Sequence, residues 1–128
     1  MFDWTGFFTV ASNLALCDNE ASRRSAISRA YYCAFHKACM LVEHEGIWLP
    51  KDGRAHRDVW SILKSQGGSR LIIGENGRAL LNARLVADYS HDHFATPLET
   101  NNALGLARRI IERLAREMRT TPSPRQRR

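Results

Sequence analysis

Hydrophobic positions recur along this chain at helical spacing, in blocks separated by short polar or glycine-bearing connections. The clearest block runs from Ser25 to Ala38. There Ile27, Ala30, Tyr31, Ala34, Ala38 and then Leu41 follow at intervals of three, one, three, four and three, one face of a helix turned toward a core. The alanines keep that face thin, so neighbouring helices approach closely and the rings of Tyr31 and Phe35 fill the remaining space. Beside it Ser25, Arg29, Tyr32 and His36, at intervals of four, three and four, form a polar ridge. Asp18-Asn19-Glu20 supplies this helix with an N-cap and an early acidic residue, and the pattern carries it to Glu43 or His44.

Four further helices follow from the same reading. A first helix from Asp3 to about Cys17 has a wide apolar stripe of Phe7, Val10, Leu14 and Cys17, with Trp4, Phe8, Ala11 and Ala15 beside it. After a loop marked by Gly46, Pro50 and Asp52-Gly53, a short helix from Ala55 to Lys64 turns Val59, Ile62 and Leu63 inward and leaves Trp60 at its edge. Gln66-Gly-Gly-Ser69 reads as the next loop, and Leu71-Ile-Ile73 as loop or helical turn, because Gly74 and Gly77 interrupt the pattern. A fourth helix is expected to start near Glu75 or Arg78 and to carry Leu80, Leu81, Arg84, Leu85, Asp88 and His91. Pro97 suits the first turn of a fifth, which runs to about Met118 with Leu104, Ala107, Ile111, Leu114 and Met118 inward and Arg109, Arg113 and Arg116 on a basic side. The expected organisation is one all-α domain over residues 1–119 and a flexible basic tail over residues 120–128.

Composition narrows the class without naming an activity. A chain of 128 residues with 44% hydrophobic and 25% charged positions is ordinary for one soluble domain, and no apolar run reaches the roughly 20 residues of a membrane span. The first residues have neither the basic start nor the apolar segment of a secretion signal, so a cytoplasmic protein without membrane contact is expected. Cys17, Cys33 and Cys39 are odd in number and lie in helical patterns, which points to reduced, buried thiols. The net charge of +6 suggests a phosphate-bearing or acidic partner, although Arg125, Arg127 and Arg128 carry half of that excess.

Two segments together resemble the HEPN superfamily of small helical proteins. Ser25-Ala-Ile-Ser-Arg-Ala-Tyr-Tyr-Cys-Ala-Phe-His looks like the Ser-x-x-Ser-Arg-Ala-Tyr-Tyr-Ala-Ala-Phe-His helix of the stand-alone bacterial and archaeal branch, and Arg84-Leu-Val-Ala-Asp-Tyr looks like its Arg-x-x-Ala-Asp-Tyr segment. Their order and separation extend the resemblance from about Asp3 to Met118. The resemblance implies a four- to five-helix, largely up-and-down bundle that dimerises. It also implies a metal-independent ribonuclease of toxin or defence type, with an arginine and a histidine separated by four to six residues, and a nucleotidyltransferase antitoxin as partner. Arg84 and His91 fit that formula with six residues between them. The chain departs from the pattern at Leu85, where active members often carry a polar residue, and at His91-Asp92-His93, where many toxin members carry histidine-x-tyrosine.

These residues suit phosphate chemistry if the fourth helix continues through His91, because Arg84, Asp88 and His91 at intervals of four and three then share one face. Arg84 holds a phosphate through paired N–H donors, His91 moves protons between an RNA 2′-hydroxyl and the adjacent phosphate, and Asp88 orients His91 or pairs with Arg84. His93 stands as a substitute for His91. Arg29 is expected to reach Asp88 or Tyr89, and His36 to reach the same cleft. Arg109 and Arg113 are expected to track an RNA backbone without reading bases. No spacing has the specificity of a metal motif, and the glycines form no phosphate or dinucleotide loop, so no cofactor is expected. The competing expectation is a non-catalytic binding or assembly module on the same bundle. The departures at Leu85 and after His91 favour it.

Overall fold

The computed structural model describes residues 1–120, and all its regular structure is helical: α1 (Thr5–Ala15), α2 (Glu20–His44), α3 (Arg54–Ser65), α4 (Gly68–Tyr89) and α5 (Pro97–Thr120). Of the tail expected over residues 120–128, residues 121–128 lie outside the described residues, while Thr120 is instead the last residue of α5. The five helices form an all-α bundle around α2, which packs against each of the other four. Among the described residues no helix is long and apolar enough to cross a membrane.

The helix at the centre is the one whose sequence pattern is the longest without interruption. Asn19 sits in extended backbone as the N-cap of α2, and its side chain accepts from the Ser22 N–H at 2.8 Å. Such a cap contributes about 1 kcal/mol. Ile27, Ala30, Tyr31, Ala34, Ala38 and Leu41 are all fully buried, so the face read from spacing is the core face. At α1 the wide stripe resolves differently. Ala11 is its buried residue, with Phe8, Leu14 and Ala15 packed against the core, while Val10 and Cys17 face solvent. A stripe that is apolar on both sides leaves the choice of inward face to the partner helix.

The largest departure from the sequence pattern lies at α4. Its start is Gly68, seven or more residues earlier than expected, and Leu71-Ile-Ile73 is helical. Gly67 and Gly68 take φ of +74° and +58°, left-handed backbone that lets the chain reverse from α3 into α4 within two residues. Gly74 and Gly77 do not break α4; they let it close on α3. A Cβ at Gly74 would lie 2.5 Å from the Trp60 carbonyl oxygen, and one at Gly77 would overlap the Trp60 ring. Trp60 is therefore fully buried rather than placed at the edge of α3. Its indole N–H donates to the Tyr31 hydroxyl at 3.2 Å, which allows so large a polar ring to be enclosed.

The other end of α4 corrects a second expectation. The helix stops at Tyr89, Ser90 is extended (φ −86°, ψ 115°), and His91 lies beyond it. The first turns of α2 hold this end in place. Arg24 donates through Nη1 to the carbonyls of Ala87 at 3.0 Å and Ser90 at 2.8 Å and through Nη2 to the carbonyl of His93. Arg23 donates to the Ala95 carbonyl at 2.7 Å, and Glu20 accepts from the Ala95 N–H at 2.9 Å. The bonds to Ala87 and Ser90 satisfy carbonyls that the end of a helix leaves without partners. Together the bonds from Arg24, Arg23 and Glu20 also fix the connection from α4 to α5.

Candidate functional site

Ser28 and Tyr32 of the first of the two sequence segments meet Arg84 and Asp88 of the second between α2 and α4. Ser28 donates to Asp88 Oδ2 at 3.2 Å, and Arg84 Nε donates to the same oxygen at 2.8 Å. Arg84 Nη2 donates to the Tyr32 hydroxyl at 2.7 Å, and the guanidinium carbon lies 5.0 Å from the Tyr32 ring centroid and 5.6 Å from that of Tyr89. Two of the three guanidinium nitrogens are thus fixed by protein. Nη1 has no protein partner among the described residues, and no unpartnered side-chain nitrogen there is fully buried, so Nη1 reaches solvent. The Arg84 side chain as a whole is only 12% exposed, which makes it a rigid donor.

Of the other residues singled out from sequence, His91 is exposed and lies outside the helix that carries Arg84 and Asp88. The shared helical face expected for the three therefore holds only Arg84 and Asp88. His93 is paired with Glu99, its Nε2 at 2.6 Å from a carboxylate oxygen. Arg29 does not reach Asp88. It is exposed, over the Phe7 ring at 5.2 Å, because Ser28, one residue earlier on α2, is the one turned toward α4. His36 stacks on Trp4 with centroids 3.5 Å apart and planes 9° from parallel. Arg109 is exposed and Arg113 half-buried on α5. Among the described residues no three His, Cys, Asp or Glu side chains are grouped closely enough to hold a metal ion.

One histidine that the pattern of the chain did not single out stands closer to this cluster. His56, on the first turn of α3, lies edge to face with the Tyr32 ring at 5.8 Å and stacks on Phe35 at 4.0 Å. Its Nδ1 is 2.8 Å from the Tyr31 hydroxyl. That hydroxyl is fully buried and accepts from Trp60, so its own proton has one acceptor to go to, Nδ1 of His56. A proton on Nδ1 would leave the Tyr31 O–H unpaired at a cost of about 1–3 kcal/mol. The ring is therefore the neutral tautomer with its proton on Nε2. Burial lowers the affinity of His56 for a second proton, and the nearby charges of Arg84 and His36 act in the same direction. Burial alone lowers His36. A lone His at the start of a short amphipathic helix carries no local signal of this role, which depends on where Tyr31 and Trp60 end up.

His56, Tyr32, Phe35 and His36 line a cleft of about 390 Å³ between α2 and the α2–α3 connection, closed on its other side by Leu49 and Pro50. Cys39 lines it as well, with burial holding its thiol up at about 12, which keeps it protonated and unreactive. Comparison with family models, with curated proteins and with solved structures finds no match for this chain.

Proposed function

We propose that this chain is a HEPN-type, RNA-directed protein acting as a homodimer, with Arg84 as its phosphate-binding group in a metal-independent endoribonuclease site of toxin or defence type. The observation that supports this reading is the meeting of the two resembling segments: Ser28 and Tyr32 of one bond directly to Asp88 and Arg84 of the other. A guanidinium locked on two nitrogens and open on the third binds a phosphate oxygen without first losing rotamer freedom. His91, exposed just past the end of α4, is free to complete the site as proton-transfer group beside RNA. A homodimer has a suitable surface along α4, where Leu71, Ile72, Leu85, Val86 and Tyr89 are all more than a third exposed. A nucleotidyltransferase partner belongs to the same reading.

A second reading, a non-catalytic binding or assembly module, draws on one specific feature. Asp88 lies 2.8 Å from Arg84 and neutralises part of the charge that a transition-state phosphate needs. Purified protein incubated with RNA in the presence of a chelator separates the two. Cleavage that falls by about 10²-fold or more in both Arg84→Ala and His91→Ala is the expected result. Cleavage unchanged in both variants removes the proposed site, and RNA binding without cleavage favours the module.

A further inference from the structure

We propose that the cleft lined by Tyr32, Phe35, His36, Leu49, Pro50 and His56 receives one unstacked base of a bound RNA, with His56 Nε2–H as donor to a base carbonyl oxygen or ring nitrogen. The proposal rests on the RNA reading above and adds a base-binding subsite to it. Three observations carry it. The His56 ring is held on one side by Phe35 and through Nδ1 by Tyr31, so its orientation is fixed. Its Nε2 has no protein partner among the described residues and is not enclosed, and His56 lines the cleft, so the site has an open donor with a fixed ring behind it. The walls are rings and aliphatic surface, and the volume lies within the roughly 300–1,000 Å³ of small-ligand sites.

Charge decides between a base and a phosphate as the occupant. His56 is neutral in the tautomer that Tyr31 and Trp60 impose, and the cation at the rim, Lys51, is 2.9 Å from Glu43. Asp52, also at the rim, holds Arg54 at 3.0 Å. The cleft therefore offers an anion no unpaired positive charge. A planar uncharged ring with an acceptor edge fits it, which is how unstacked bases are read: by stacking on side-chain rings and by hydrogen bonds along the base edge. Tyr32 joins the two parts of the surface, since its ring borders the cleft while its hydroxyl holds Arg84. On this proposal a phosphate at Arg84 Nη1 and a base beside His56 come from one strand.

The test compares a single-stranded oligouridylate with an abasic ribose-phosphate oligomer of the same length, by fluorescence anisotropy on the full chain. Wild type should bind the oligouridylate about tenfold more tightly or better, as one stacked base requires. The preference should vanish in His56→Ala and be partly kept in His56→Gln, which retains a side-chain N–H. In parallel, uridine alone is titrated into wild type and followed through the His56 and Tyr32 ring resonances, where saturable shifts are expected. Equal affinity for the two oligomers, with no shift from uridine, overturns the base subsite while leaving the RNA reading intact. If neither oligomer binds, the RNA reading fails, and the uridine titration then decides the cleft by itself: no shift overturns the proposal. A preference that persists unchanged in His56→Ala also overturns it.

Discussion

A single hydrogen bond fixes the state of His56, and that state has a consequence for stability. Burial holds its pKa below the ordinary 6.5, so between the folded value and 6.5 the unfolded chain binds more protons than the folded one. Stability therefore rises with pH through that window and falls as pH drops from 6.5 toward the folded value. His36 contributes in the same sense, because its pKa is also lowered. Urea unfolding of wild type and of His56→Gln at a series of pH values checks this. The wild type should lose stability on acidification below 6.5, and the variant should show a shallower loss over the same range. Identical slopes would mean that His56 does not titrate differently in the two states. The sequence offered no route to this residue: its neighbours along the chain, Ala55 and Arg57, say nothing of Tyr31, which lies 25 residues away.

At the scale of elements, the contact between α3 and α4 turns on two missing side chains. Gly77→Ala should gain up to about 1 kcal/mol of helix propensity and lose more than it gains, because the new methyl overlaps the Trp60 ring. A net destabilisation of about 1–3 kcal/mol in urea unfolding is the expected outcome. A neutral or stabilising effect would show that α4 does not press on Trp60. The same two glycines explain why α4 begins earlier than its sequence pattern predicts. A glycine weakens a local helical pattern whether it ends the helix or admits a neighbouring one, and only the presence of Trp60 across the interface distinguishes the two. The far end of α4 departs from its pattern for a related reason. Spacing allowed His91 to continue the helix, but Arg24 and Arg23 on α2 hold the carbonyls of the following connection and fix the chain in extended form.

Across the whole molecule, charge is the property most directly tied to the proposed function. The net +6 includes the exposed or half-buried Arg109, Arg113 and Arg116 along one side of α5. On the RNA reading these side chains contact phosphates, so affinity for single-stranded RNA should fall with rising salt, by about 0.7 in the logarithmic slope per contact. Replacing all three by glutamine should flatten that slope by roughly 2. It should leave the discrimination between oligouridylate and abasic oligomer unchanged, since backbone contacts carry no base information. An unaltered slope would place the phosphate contacts elsewhere on the bundle.

The five helices of the described residues, their order, an N-cap within Asp18-Asn19-Glu20, the start of α5 at Pro97 and the core face of α2 were determined by the sequence alone. Each depends on periodicity or capping, which are set within a few residues of chain. The convergence of Ser28, Tyr32, Arg84 and Asp88, the enclosure of Trp60 and the single tautomer of His56 were decided by the tertiary structure. Those depend on how closely α3 and α4 approach α2, a distance set by alanine and glycine positions on different helices acting together. A local pattern names the face that each helix turns inward, but the partner it meets there is fixed only when the helices pack.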